Sequence, residues 1–162
     1  MIAAIWMAGG LAHAEAAWTV QVDPLTAALG FAHVQVERVM TPRVSVYAGP
    51  HLRLYDGVLA DVNGPYRGAG LEAGVRLYPW GEAPTGPWVL VRGVGAWVWT
   101  TDDSHAANPG GYGSALVGYT GIVADWLVMS GGLGAQRFAY TVGPYGPTGW
   151  GPAAHSTVGV AF

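Results

Sequence analysis

Six charged residues, Glu37, Arg43, Arg53, Glu72, Arg76 and Arg92, have the types and spacing best suited to chemistry in this chain. Glu72 and Arg76 are four residues apart, an even spacing that puts both on one face of a β-strand. A guanidinium in a confined space needs a carboxylate or carbonyl partner, because an unpaired buried charge is costly. Together these residues can either fill an interior with ion pairs or line a narrow charged pathway.

Other chemistry is weaker. His33, His51 and His155 fall on strand faces that point the same way as the arginines. They come from three separate segments with no local metal-ligand spacing, so no metal site is assigned. His105 sits with Asp102 and Asp103 in a polar stretch that reads as a solvated loop. His155-Ser156 is the nearest approach to a base–nucleophile pair, but adjacent strand residues face opposite ways and cannot easily share a hydrogen bond. No acidic residue follows Asp125. The glycine-rich run Gly110–Gly113 reads as loop and lacks the strand-to-helix context of a phosphate cradle. There is no cysteine, which excludes disulfides, thiol catalysis and cysteine-based metal sites. The chain reads as a non-enzyme without a cofactor.

The elements that position these residues announce themselves by alternation. From Arg43 to Tyr55, Val44, Val46, Ala48, Leu52 and Leu54 alternate with Ser45, Tyr47, His51 and Arg53. From Ala69 to Pro79, Leu71, Ala73, Val75 and Leu77 alternate with Glu72, Arg76 and Tyr78. This is the period of a strand, not of a helix. The same pattern predicts strands over 17–22, 28–37, 88–100, 112–123, 126–140 and 153–162. Tyr112–Ala135 is long and apolar enough for a spanning helix, but repeated glycines and the break at Ala124-Asp125 argue for two strands and a turn. Connections at Met40-Thr41-Pro42 and Ala124-Asp125 are tight. Those near 56–68, 101–111 and 141–151 are longer and rich in Gly, Pro, Asp and Asn. The connection at Asp23-Pro24 is too tight for the loop end at which it falls.

Composition fits an inverted barrel. The 162 residues are 51% hydrophobic and only 10% charged, with net charge −3 and no lysine. That apolar content excludes a disordered chain, and the charge excludes a nucleic-acid binder. The polar face is mostly Gly, Ser, Thr and Tyr, which suits a narrow interior where glycines make room for long arginines. Aromatic residues gather near strand ends: Tyr78, Trp80, Trp88 and Trp126 at the short-turn end, and Trp97, Trp99, Tyr112, Tyr140 and Trp150 at the loop end. They read as two girdles, one per lipid interface. Met1–Leu11 is apolar and Ala12-His13-Ala14 is an A-x-A-like cleavage site, so residues 1–14 are expected to be a signal peptide and 15–162 one barrel domain.

The signal-like start, the eight alternating segments and the closing Val158-Gly159-Val160-Ala161-Phe162 resemble the small eight-stranded outer-membrane β-barrels of Gram-negative bacteria, the OmpA-like and OmpX-like group. The resemblance implies an all-β, antiparallel, up-and-down transmembrane β-barrel in the outer membrane. It also implies contact with membrane lipid and lipopolysaccharide, a monomeric state, and recognition of Phe162 by the barrel-assembly machinery. It does not specify an activity, because the architecture hosts several. Eight strands leave an interior just wide enough for side chains to fill. The expectation is therefore a structural envelope barrel with a filled lumen. The alternative is a narrow conduit for small or hydrophobic solutes, and the third reading is a surface interaction through the loops.

Overall fold

The computed structural model describes residues 17–56 and 64–162; the expected signal peptide, 1–14, lies outside the described residues. Nine elements follow one another: β1 Trp18–Val22, α1 Pro24–Ala28, β2 Phe31–Thr41, β3 Val44–Arg53, β4 Tyr66–Leu77, β5 Gly86–Thr100, β6 Ala107–Val123, β7 Leu127–Ala139 and β8 Thr148–Ala161. The eight strands form one closed barrel in sequence order, every neighbour antiparallel, with β1 pairing β8 to complete it.

Alternation decides which side chain goes where. On β4, Glu72 and Arg76 are buried while Leu71 and Val75 are exposed. On β5, Trp88, Leu90 and Arg92 are buried while Val89, Val91, Trp97 and Trp99 are exposed. The result is inverted relative to a water-soluble protein: Leu71 and Leu133 are 71% and 70% exposed, whereas Glu37, Arg53 and Arg76 are 0%. The exterior is the apolar face.

The turns follow local chemistry. Ala124 and Asp125 both have positive φ (53° and 65°) and with Trp126 turn the chain between the paired residues Val123 and Leu127. The β2–β3 hairpin turns at Pro42-Arg43. Both turns, the 78–85 segment and the described chain ends lie at one end of the barrel, the turn end. The other end, the loop end, carries the connections 101–106 and 140–147 and the facing ends of β3 and β4, Arg53 and Tyr66.

Three expectations about elements are corrected. Ala28 ends a helix over Pro24–Ala28 rather than opening a strand, and β2 starts at Phe31. Asp23 caps this helix by accepting from the Thr26 N–H at 3.0 Å, and Pro24 takes a first-turn position that needs no N–H. The tight Asp23-Pro24 connection is thus a helix start. Gly110–Gly113 belong to β6, not to a loop, and the β5–β6 connection shortens to 101–106.

Candidate functional site

The interior is the site. Its lower layer, toward the turn end, is built on Glu37 of β2. One carboxylate accepts from five side chains. Oε2 takes Arg76 Nη1 at 2.6 Å, Gln21 Nε2 at 3.0 Å and Thr19 Oγ1 at 3.3 Å. Oε1 takes Tyr78 at 3.3 Å and the Ser45 hydroxyl. Even spacing along β1, β3 and β4 aims these donors at one point. The other end of the Arg76 guanidinium meets His155 Nε2 on β8 at 2.6 Å. Its face lies over Trp88, 5.2 Å from the ring centroid, so one cation is used in three ways. Trp88 in turn donates to Thr120 at 2.9 Å, and Thr120 to Ser130 at 2.9 Å.

The middle layer centres on Glu72 of β4. It accepts from Tyr47 at 2.7 Å, from Arg92 Nη1 at 3.4 Å and from Tyr112 at 3.5 Å. His33 Nε2 is 3.5 Å and His51 Nδ1 3.9 Å from its Oε2. The upper layer is aromatic around one cation. Arg53 lies over Tyr66, 4.1 Å from the ring centroid, and over Phe31 at 5.2 Å, and donates to the Tyr66 carbonyl at 3.3 Å. Tyr66, Val98, Tyr140 and Val142 form a buried apolar cluster at this end.

The Glu37 carboxylate is compensated from several directions. That matters because a desolvated charge costs several kcal/mol unless its remaining lone pairs and protons are also met. Glu37 and Arg76 are each fully buried, and one carboxylate with five donors satisfies that condition as well as a side chain can.

Glu37, Arg53, Glu72, Arg76 and Arg92 stand together in the lumen. Arg43 does not. It sits at the β2–β3 turn, exposed, and donates to the Pro79 carbonyl. Odd parity continues from Arg53 to Arg43, but the strand ends at Val44, so parity no longer governs that side chain.

The aromatic girdles also need correction. Trp80, Trp97, Trp99, Trp126 and Trp150 are exposed, and Phe162 is 67% exposed at the turn end. Tyr78, Trp88 and Tyr140 are buried in the lumen, and Tyr112 faces Glu72 there. Their parity matches the inward residues Arg76, Arg92, Gln136 and Ser114. Their height along the strands is that of the girdles, but their parity turns them to the interior. The glycines serve these rings more than the arginines. A Cβ on Gly132 would stand 2.3 Å from Trp88, and one on Gly74 would stand 2.4 Å from Tyr47.

The three inward histidines do not converge. His33 and His51 are cross-strand partners beside Glu72, whereas His155 belongs with Arg76 in the layer below. Among the described residues no group of three ligating side chains stands at metal-binding geometry. Ser156 faces away from His155, as adjacent residues of one strand do. Gln21, Ser45 and Tyr47 were not singled out from the sequence as site residues; their inward parity was the available signal. Compared with known proteins, the chain matches no family model, no curated sequence and no solved structure.

Proposed function

We propose that the protein is a non-catalytic outer-membrane β-barrel of a Gram-negative cell envelope, with a structural role and a lumen filled by side chains. Its exterior supports residence in lipid: apolar side chains are exposed along the strands, and exposed tryptophans lie at both ends, Trp80 and Trp126 at one, Trp97, Trp99 and Trp150 at the other. Lipid and lipopolysaccharide are the partners this surface suits.

The observation that carries the structural reading is the convergence on Glu37. Donors from β1, β3 and β4 and the segment after β4 meet one carboxylate of β2 across the lumen, and Arg76 extends the link to β8. A pathway for solutes would have to break this network and the Glu72 layer above it.

The test is single-channel recording in planar bilayers containing the refolded protein. The expected result is no unit conductance, with conductance appearing only when Glu37 and Arg76 are both replaced by alanine. Stable conductance steps from the unsubstituted protein would overturn the filled-lumen reading in favour of the conduit.

A further inference from the structure

The barrel closes by unequal ladders. β8 pairs with β7 from Thr148 to Val160, but with β1 only from Val158 to Ala161. β1 ends at Val22, and Asp23 begins α1. Along the loop-end half of β8, the wall between β8 and β2 is therefore completed by α1, five residues of which none is buried.

An unpaired strand edge must place its backbone groups somewhere. Phe162 exchanges both main-chain hydrogen bonds with Trp18, whereas the Ala161 N–H turns to the Trp126 carbonyl. Even-numbered residues of β8 thus point their main-chain groups toward β1, or toward the seam where β1 is missing. Each such group that has a partner there meets a side chain. The Ser156 N–H looks toward the Asp23 carboxylate. The Ala154 carbonyl accepts from Arg92 Nη2 at 3.2 Å, and the Pro152 carbonyl from Gln136 Nε2 at 2.6 Å. Pro152 has no N–H to satisfy. Arg92 and Gln136 are luminal and stay with β8 if α1 moves away.

Little else holds α1. Asp23 N–H donates to the His33 carbonyl at 3.3 Å, the Tyr55 hydroxyl to the Ala27 carbonyl, and Arg53 Nη1 to the Leu29 carbonyl at 3.4 Å. Gly30, at φ 96°, joins α1 to β2 in a conformation that glycine adopts without strain. By contrast, the β4–β5 ladder runs unbroken from Tyr66 to Leu77.

Polar atoms without hydrogen-bond partners flank this seam. They are Asp23 Oδ2 and, on β8, His155 Nδ1, both buried; other such atoms, Tyr66 Oη and Tyr140 Oη among them, lie elsewhere in the lumen. Outside it, Leu25 and Leu29 are exposed. We infer that α1 is a lateral gate. It swings on Gly30 and opens the β2–β8 seam while the ladders from β2 through β8 stay formed. It admits the uncharged, hydrogen-bonding head of an amphiphile from the surrounding bilayer. The gate stands on geometry alone; the amphiphile rests on the membrane reading above.

The absence of cysteine makes the test clean, since a single introduced thiol is the only one present. Ala153→Cys and Val128→Cys each place a thiol at a buried luminal position, the first on β8 beside the seam and the second on β7 toward the turn end, outside the apolar cluster that holds Ala153. In liposomes, a membrane-soluble maleimide is expected to label the Ala153→Cys protein at least about tenfold faster than the Val128→Cys protein, as local opening requires. Adding Asp23→Ala is expected to accelerate the first about tenfold further and leave the second unchanged. Equal, slow labelling of both, with or without Asp23→Ala, would overturn the gate. If a charged maleimide labels the seam thiol as fast as the membrane-soluble one, the gate stands and the bilayer amphiphile is overturned. If the Ala153→Cys protein fails to fold, hydrogen exchange serves instead. The Ser156 amide should exchange far faster than the amide of Val75, and faster still with Asp23→Ala; protection equal to that of Val75 would overturn the gate.

Discussion

Arg92 reaches from β5 to the main chain of β8, where its Nη2 stands 3.2 Å from the Ala154 carbonyl oxygen, three strands round the barrel. Its Nη1 holds Glu72 at 3.4 Å. One side chain thereby neutralises a buried carboxylate and satisfies a strand edge that has no neighbour. Arg92→Met should remove both at once and destabilise by about 3–5 kcal/mol, the range for stripping one partner from a buried ion pair. Arg92→Lys should recover only part of this, because an ammonium lacks the fork that serves two acceptors. Urea unfolding midpoints and heat-modifiability on gels report both.

Glu37→Gln replaces an oxygen acceptor with an amide donor among five donors. It should cost about 3–5 kcal/mol, since Arg76 would remain buried without its carboxylate. Glu82→Gln, exposed in the 78–85 segment, should stay within about 0.5 kcal/mol. Equal midpoints for the two variants would show that the Glu37 convergence carries no stability.

Two glycine substitutions separate lumen from exterior. A Cβ on Gly132 meets Trp88 at 2.3 Å and the Val117 carbonyl at 2.6 Å, and neither can withdraw easily. Gly132→Ala should destabilise by about 1–3 kcal/mol through overpacking. A Cβ on Gly93 meets nothing within 4 Å. Gly93→Ala should be neutral or stabilise by up to about 1 kcal/mol, because the unfolded chain loses freedom.

Tryptophan fluorescence tests the assignment of faces. In vesicles of brominated phospholipid, proteins carrying a single tryptophan at 80, 97, 99, 126 or 150 should be quenched. A single tryptophan at position 88, only 2% exposed and bonded to Thr120, should be quenched least. Strong quenching of Trp88 together with weak quenching of the others would refute a lipid-facing exterior.

The 101–106 connection should respond to acid. Hydrogen bonds from the Ser104 hydroxyl hold the exposed Asp102 carboxyl below the usual carboxylate range, aided by the Ser104 N–H. A depressed folded-state pKa contributes order above the unfolded value, which is lost as pH falls through the folded one. Exchange of the Ser104 amide, followed from neutral pH down, should therefore show an acid-induced rise beyond its intrinsic pH dependence. Asp102→Asn should abolish that step.

Much of this molecule was legible in the order of its residues. Period-two alternation is a local property: each strand sorts its own side chains to two faces before any partner is present. That was enough to predict eight strands, antiparallel connection and the inward placement of Arg53, Glu72, Arg76 and Arg92. Parity also puts Trp88 and Tyr78 inside, whatever their height along the strand. What one strand cannot express is how another meets it. The five donors on Glu37 depend on the stagger between β1, β2, β3 and β4, which is a property of closure. Arg43 left the lumen because β3 begins one residue later. The short β1, the helix that finishes its wall and the side chains that satisfy the bare edge of β8 depend on where two distant strands end relative to each other. Alternation carries no information about that offset; it is set when the last strand finds the first.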